Sequence, residues 1–544
     1  MAAFVKWCNR PVFRESIAVA GASRKRGVVS KSALWPGGLR TIEKSHLQRC
    51  YYFNNIVSPE NYSPEITVIS SIPSLRFDNR TEFDALHFDT IDQNGVTFHV
   101  IVAKTGYRMA PGETAGMARL IPTDEPLPLY DKDQHYDDDL EKSVRVESDL
   151  APYKPLCDVV VIGEAHPPAN VKVPHFHVGL RLNHPDAPAP TPERPRPLNP
   201  MQALSPAVFE EWQRQLEIAE RTRLAGKVLV DKTLNVTGKR YLRRRAAPVR
   251  WLGGLLRAAP WRLTSAEPAT AVPLRYESAF GGECRVERAS GLTKRIPKKH
   301  RLKDGQAANY PTPPGAPDAH DSSQQNPAGC GFSRKWYLDA TRTSELPAPC
   351  IEYPARPFSA DLFWKVAQGQ TDLETAGMGY VGRGWLPRRT LVGTVEEKSD
   401  WQENEIPLLP KDFDFRYWNG APDDQQCPHL VGGEQFRLTN LSHPSSTLAQ
   451  LDQAGNRHLA FALPQQSLFV MGATEAGGIA VLPLAIDTVV IDMEAERLEL
   501  VWRLAIVADG EFEDVRLMHA TEPEQLARLN EWPSAQPGPA PLAA

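Results

Sequence analysis

Ser148-Asp149-Leu150-Ala151-Pro152-Tyr153-Lys154-Pro155-Leu156-Cys157-Asp158-Val159-Val160-Val161-Ile162-Gly163-Glu164-Ala165-His166 is the stretch on which the fold turns. Val159 to Ile162 is a short unbroken apolar run closed by Gly163, the pattern of a strand buried on both faces at the centre of a sheet. Pro152 and Pro155 bias the residues before them to extended backbone, so Tyr153 and Lys154 sit on a stiff arm entering that strand. Asp149, Lys154, Asp158 and Glu164 then lie close to a core and need partners. A buried Lys–Asp pair is the expected solution.

Outward from this strand the pattern stays sheet-like. Leu86, Phe88 and Thr90 alternate, Gln93-Asn94-Gly95 turns, and Val96, Phe98, Val100 and Val102 alternate back, which predicts a hairpin. Phe176, Val178, Leu180 and Leu182 alternate with His175, His177, Gly179 and Arg181, and strands resume over 227–236. Further strands are expected around Phe461, Leu463 and 468–471. A closing hairpin turns near Glu494 to Glu496, with Leu498, Leu500, Trp502, Leu504 and Ile506 on one face. Ser205, Pro206 and Gly226 bound the clearest helix, inside an insert over 183–226, and a short helix is expected over 522–531. Together these predict a mainly β protein of antiparallel sheets, packed as sandwiches or distorted barrels, with a few peripheral helices.

The expected organisation is a leader over 1–70, a β-rich domain over 71–340, a second over 341–532 and a loose tail over 533–544. The leader has no sustained period and reads as weakly ordered or as the product of an upstream start codon. A net charge of -4, from 62 basic and 66 acidic residues, gives no overall attraction to nucleic acid. The 7 cysteines lack a Cys-x-x-Cys pair, so neither a zinc knuckle nor a disulfide scaffold is indicated, and a reducing cytoplasm is the simpler setting. No window reaches the roughly 18 consecutive apolar residues of a membrane span.

Motifs that suggest chemistry read as structure. The acidic run 131–141 lacks the glycine and closing glutamate of a calcium loop, which leaves a solvated acidic loop. His175 and His177 share a side at a spacing that metal sites use, but no third ligand stands at readable spacing, so they read as surface histidines. Gly377, Gly379 and Gly382 spell a dinucleotide fingerprint that follows no apolar strand and runs into Trp385-Leu386-Pro387 rather than a helix. The basic clusters at 243–245 and 298–301 read as solvated loops, and 305–327 as a long loop. No nucleophile elbow, phosphate loop or zinc-protease motif occurs, so no catalytic, cofactor or metal residue is assigned. Asp149, Asp158, Glu164, Glu352, Asp414 and Glu434 lie near apolar runs and leave a carbohydrate-active or other hydrolase with paired carboxylates as the alternative function. Residues 413–426, Phe-Asp-Phe-Arg-Tyr-Trp-Asn-Gly-Ala-Pro-Asp-Asp-Gln-Gln, are dense in aromatic and amide side chains, which suits either a rigid loop packed on the core or a recognition surface.

Several separated motifs, in order, carry a family resemblance over about residues 72–510. They are Asp78-Asn79-Arg80-Thr81, Val102-Ala103-Lys104-Thr105, the opening stretch, Val236-Thr237-Gly238-Lys239-Arg240, and Pro273 to Glu277 with Phe280-Gly281-Gly282. They continue with Asn326 to Phe332, Pro349 to Glu352, Trp385 to Arg388, 413–426, and Leu430 to Glu434. The chain thereby resembles the bacterial proteins grouped as domain of unknown function 2169. The resemblance implies a cytoplasmic adaptor of the type VI secretion system, a chaperone-like protein that holds a toxic effector with a PAAR or Rhs region and helps load it on the VgrG spike. An adaptor of this kind needs no cofactor, and its partner-binding residues are expected at Tyr417, Trp418, Asn419, Asp424 and Gln425. Asp149, Lys154, Asp158 and Gly163 are expected to be structural. The leader and the 183–226 insert depart from the family pattern.

Overall fold

The computed structural model describes residues 75–113, 115–185, 227–246, 260–303, 315–394, 409–474 and 478–522, with single positions at 212, 214, 310 and 525. The leader, the tail, most of the 183–226 insert and most of the 522–531 helix lie outside the described residues; Trp212 and Arg214 of the expected insert helix are helical.

The alternating stretches become strands. Asp84–Ile91 pairs antiparallel with Thr97–Pro111, with Leu86 opposite Val102 and Phe88 opposite Val100. Gly95 closes the turn at φ +82°, where a side chain would be strained. Thr97–Pro111 also pairs antiparallel with Arg497–Val507, which forms the closing hairpin with Ala485–Asp492. Cys157–Ile162 joins this seven-stranded sheet between Ala485–Asp492 and the two-residue strand Gln426–Cys427. It therefore stands next to the end of the sheet rather than at its centre. Its pairing with Ala485–Asp492 is parallel, so the sheet is mixed. More than 300 residues separate those two strands, and no hairpin dictates their relative direction.

A six-stranded antiparallel sheet faces it, running Ile351–Glu352, Val228–Thr237, His175–Asn183, Gln435–Thr439, Arg457–Ala462, Gln450–Leu451. A four-stranded sheet built on Ser467–Thr474 and Phe512–Ala520 adds a third layer. Val159 and Val161 of the first sheet, Leu180, Leu234 and Phe461 of the second, and Val470 and Leu517 of the third meet in one buried core. The rings of Phe436 and Phe461 stack there with centroids 5.0 Å apart. The layers are sandwiched, and none of the sheets closes into a barrel among the described residues. Strands from both sides of residue 340, where a domain boundary was expected, are hydrogen-bonded in the same sheets.

The other face of Cys157–Ile162 is covered too. Val160 and Ile162 pack under Val144, Tyr380, Ala421 and Val490, which explains the unbroken apolar run. A second core, with Trp261, Phe280, Phe332 and Phe363, lies under the middle of the chain. It holds two short helices that the sequence reading did not place, Lys335–Thr341 and Ala360–Ala367. Ser359 caps the second by accepting from Leu362 N at 3.2 Å. The expected loop 305–327 contains the strand Ala319–Ser322, which Glu283–Val286 pairs from a distance. One helical turn, Leu386–Arg389, follows the glycine motif where none was expected. Gly377 is pressed against the Tyr276 ring and Gly382 against the Trp385 indole, so these glycines serve packing.

Gly163 ends the anchoring strand at φ +151°, and a Cβ there would lie 3.1 Å from Met493 Cβ. Its carbonyl accepts from Leu274 N at 3.0 Å, which fixes the turn into the next strand. Gly163→Ala is expected to lower unfolding free energy by about 1–3 kcal/mol. Gly384→Ala, where an added methyl meets open space, should stay within about 0.5 kcal/mol of the parent in the same denaturant titration.

Candidate functional site

Lys154, placed by its two prolines, turns its amine inward to the Asp158 carboxylate at 2.8 Å, with only 4 % and 0 % of the two residues exposed. The amine also donates to Thr488 Oγ1 at 2.8 Å. Burial alone pulls the lysine pKa down, but the negative charges of Asp158 and Asp487 outweigh it and hold it above its ordinary value. Asp158 in turn accepts from Asn419 Nδ2 at 3.1 Å, Gly420 N at 2.8 Å and Ala421 N at 3.2 Å. One carboxylate therefore gathers the arm and the 413–426 segment, and the lysine it holds reaches the closing hairpin at Thr488. An acceptor so surrounded costs far less to bury than a bare charge.

The 413–426 segment is thus a loop of two single-turn helices, Phe415–Trp418 and Asp423–Gln425, clamped at its middle. Asn419 is 1 % exposed and Gln425 0 % exposed, and their amides donate inward, to Leu156 O and Val159 O among others. Side chains so enclosed have no surface to give a partner, which narrows the contact reading to Tyr417, Trp418 and Asp424. Tyr417 and Trp418 are half-buried. They pack edge to face at 5.3 Å, next to Phe413, whose ring meets Phe415 at 5.3 Å; Phe415 meets Tyr153 of the arm at 5.9 Å. The Arg383 guanidinium lies over Trp418 at 5.6 Å and that of Arg388 over Tyr417 at 5.5 Å. Arg388, itself buried, donates to Tyr417 O, Val381 O and the Glu147 carboxylate. Exposed Arg416 pairs with Asp414 beside this cluster. The result is a rigid rim of rings and charges.

Asp424 stands at the far end of the loop, exposed, and accepts from Lys232 Nζ at 2.6 Å and from the Tyr353 hydroxyl at 3.1 Å. Lys232 lies inside the six-stranded sheet, and burial pulls its amine down to about 8 against the pull of Asp424. This lysine is the mirror case of Lys154: its partner sits at the surface and screens it less.

The remaining candidate carboxylates do not converge. Asp149 pairs with buried Lys104 at 2.6 Å, and Glu352 with Arg240. Glu434 accepts from Val431 N and Gly432 N, both at 2.9 Å, and Asp414 is held by Arg416. Glu164 is half-buried in the short strand opposite Pro273. In the acidic run, Asp133 serves Ser148 N and Arg383, whereas Asp137 serves Arg275. Of the basic clusters, Arg243 and Arg244 lie in the strand Tyr241–Arg244 rather than a loop; Arg243 pairs with Glu345 opposite it on the neighbouring strand and Arg244 with Asp339 of the helix Lys335–Thr341. His300 stacks on Trp336. The wider cleft between the middle core and the 322–325 turn, lined by Phe280, Gln324 and Arg334, holds about 80 Å³.

For a metal, His175 and His177 project from the exposed face of their strand without a third ligand among the described residues. The sequence reading missed a different set on the opening hairpin, His87, Asp89 and His99. Asp89 Oδ1 lies 3.1 Å from His87 Nε2 and 2.8 Å from His99 Nδ1, and the two nitrogens are 3.2 Å apart. Burial would raise the Asp89 carboxyl, but the two imidazoles beside it hold it well below the usual carboxylate range. The signal was present in the hairpin itself: a turn centred on Asn94 places residue 89 opposite 99, with 87 on the same side.

The family model described as "Uncharacterized protein conserved in bacteria (DUF2169)" matches residues 94–188 and 205–503. No curated protein and no solved structure matches the chain.

Two lysines give two expected outcomes. Lys154→Met strands the Asp158 charge in the core and should cost about 3–5 kcal/mol in equilibrium unfolding, part of which Asp158→Asn restores when added. Lys232→Met leaves Asp424 free to hydrate and should change stability at neutral pH by about 1 kcal/mol or less. The same variant should alter the pH profile. With a folded value of about 8 and an ordinary value of 10.5, the unfolded chain holds the Lys232 proton after the native state has lost it. The wild type should therefore gain stability relative to Lys232→Met as pH rises from about 8 to 10.5, and show no relative change below pH 7.

Proposed function

The chain belongs to the DUF2169 family of uncharacterized proteins conserved in bacteria, and from that footing we propose that it is a non-enzymatic adaptor that grips another polypeptide through the rim around Tyr417 and Trp418. The partner in this reading is a secreted toxin with a PAAR or Rhs region, held in the bacterial cytoplasm and delivered to the VgrG spike of a type VI secretion system. What supports it most is the way the 413–426 loop is built. Phe415, Tyr417, Trp418 and Arg383 stand half-exposed on a frame that the buried Asp158 carboxylate and the Glu147–Arg388 pair lock from beneath. Rings already fixed in place lose little entropy on binding, and Tyr, Trp and Arg contribute most where interfaces are energetically concentrated. No helix among the described residues is long and apolar enough to cross a membrane.

An adaptor must release its cargo, so a broad face of mixed polarity suits it better than a deep apolar groove. The open face of the six-stranded sheet adds to such a surface, with His177, Arg181, Asp231, Thr233 and Arg437 side by side on three adjacent strands.

The test is capture, by the purified full-length protein, of a toxin with a PAAR or Rhs region encoded in the same genome. Wild type should retain it, and Trp418→Ala, with an unfolding midpoint near that of the parent, should bind at least about tenfold more weakly. Unchanged affinity in that variant would remove Trp418 from the interface, and failure of the wild type to retain the toxin would sink the adaptor reading.

A further inference from the structure

Independently of that function, we propose that His87, Asp89 and His99 form a binding site for a divalent transition metal of the zinc class. Asp84–Ile91 and Thr97–Pro111 hold these residues on one side of the hairpin, His87 and Asp89 two apart on one strand and His99 directly opposite Asp89. The other side of the hairpin packs Leu86, Phe88, Val100 and Val102 into an apolar cluster, which fixes the backbone from which all three side chains project.

With the Asp89 carboxylate ionised and accepting only, both short N···O edges require a proton on His87 Nε2 and on His99 Nδ1. Both imidazoles then donate to one carboxylate oxygen, which leaves no proton for the 3.2 Å N···N edge. With those two protons gone, the same three atoms present their lone pairs to one another, and a cation bound by all three takes the place of both protons.

Distances and donor types agree with this. Ligand atoms bound at about 2.0–2.2 Å stand about 2.9 Å apart in an octahedral shell and about 3.4 Å apart in a tetrahedral one. The observed edges of 2.8, 3.1 and 3.2 Å fall at that scale. Two imidazoles with one carboxylate favour zinc, cobalt, nickel or iron over magnesium or calcium, which take oxygen ligands. The His87 and Asp89 side chains are 16 % and 25 % exposed, so a metal enters from their side, where water completes its shell. His99 is nearly buried and acts as the floor. Bound there, the metal ties the edge strand of the seven-stranded sheet to its neighbour.

Cobalt(II) chloride added to chelator-stripped full-length protein is the probe, read by visible absorption and by the unfolding midpoint. One equivalent should bind, give ligand-field bands and raise the midpoint, and zinc sulfate should displace it. His87→Ala and Asp89→Asn, both at partly exposed positions, should weaken cobalt binding at least about tenfold while unfolding cooperatively without metal. His175→Ala should bind as the parent does. Absence of stoichiometric binding, or equal affinity in the parent, His87→Ala and Asp89→Asn, would overturn the site; loss of binding in His175→Ala alone would move it to the other histidine pair and overturn it equally.

Discussion

The Asp158 carboxylate is the point on which the rest of the molecule depends. It is fully buried, and four donors from its own arm and from the 413–426 segment converge on it: Lys154, Asn419, and the backbone of Gly420 and Ala421. Each is cheap to bury only while the others are in place, because a lone charge or amide in that core would forfeit its hydration without return. The same feature that makes the loop at 413–426 rigid therefore ties it to the strand that organises two cores.

Around this point the protein repeats one device, a cation and a carboxylate enclosed together in the packed interior. Lys104 with Asp149, Arg503 with Asp487, Arg388 with Glu147 and Arg240 with Glu352 all follow it. Arg503 also donates to the carbonyls of Asp149 and Ala151, linking the closing hairpin to the start of the arm. Such pairs add little to stability compared with apolar packing, yet mispairing them is costly, which makes them suited to fixing one register among many possible in a sheet-rich chain. Lys232 shows the limit of the device: its partner Asp424 reaches solvent, and burial prevails over attraction at the amine.

The metal-binding triangle on the opening hairpin and the aromatic rim lie at different places in the fold. The triangle sits on the edge strand of the seven-stranded sheet, whereas the rim hangs from the opposite end, next to Gln426–Cys427. Both are side chains presented by strands or loops whose reverse side is packed. In the triangle the apolar face of the hairpin supplies the rigidity; in the rim the buried Asp158 carboxylate and the Glu147–Arg388 pair do.

Periodicity by itself determined strands within 86–102, 175–182, 468–471 and 489–506, and proline placement beside the charged residues pointed to a buried lysine–aspartate pair, because alternation and proline placement are local properties of the chain. The matched positions 89 and 99 were also within reach of a hairpin count. Tertiary structure alone decided the parallel pairing of Cys157–Ile162 with Ala485–Asp492, the strand hidden in a proline-rich stretch at 319–322, and the inward turn of Asn419 and Gln425. Those features arise from partners more than 30 residues away, whose approach is set by which faces pack together. A local pattern carries the period of an element; it does not carry the identity of the distant strand, carboxylate or carbonyl that will complete it.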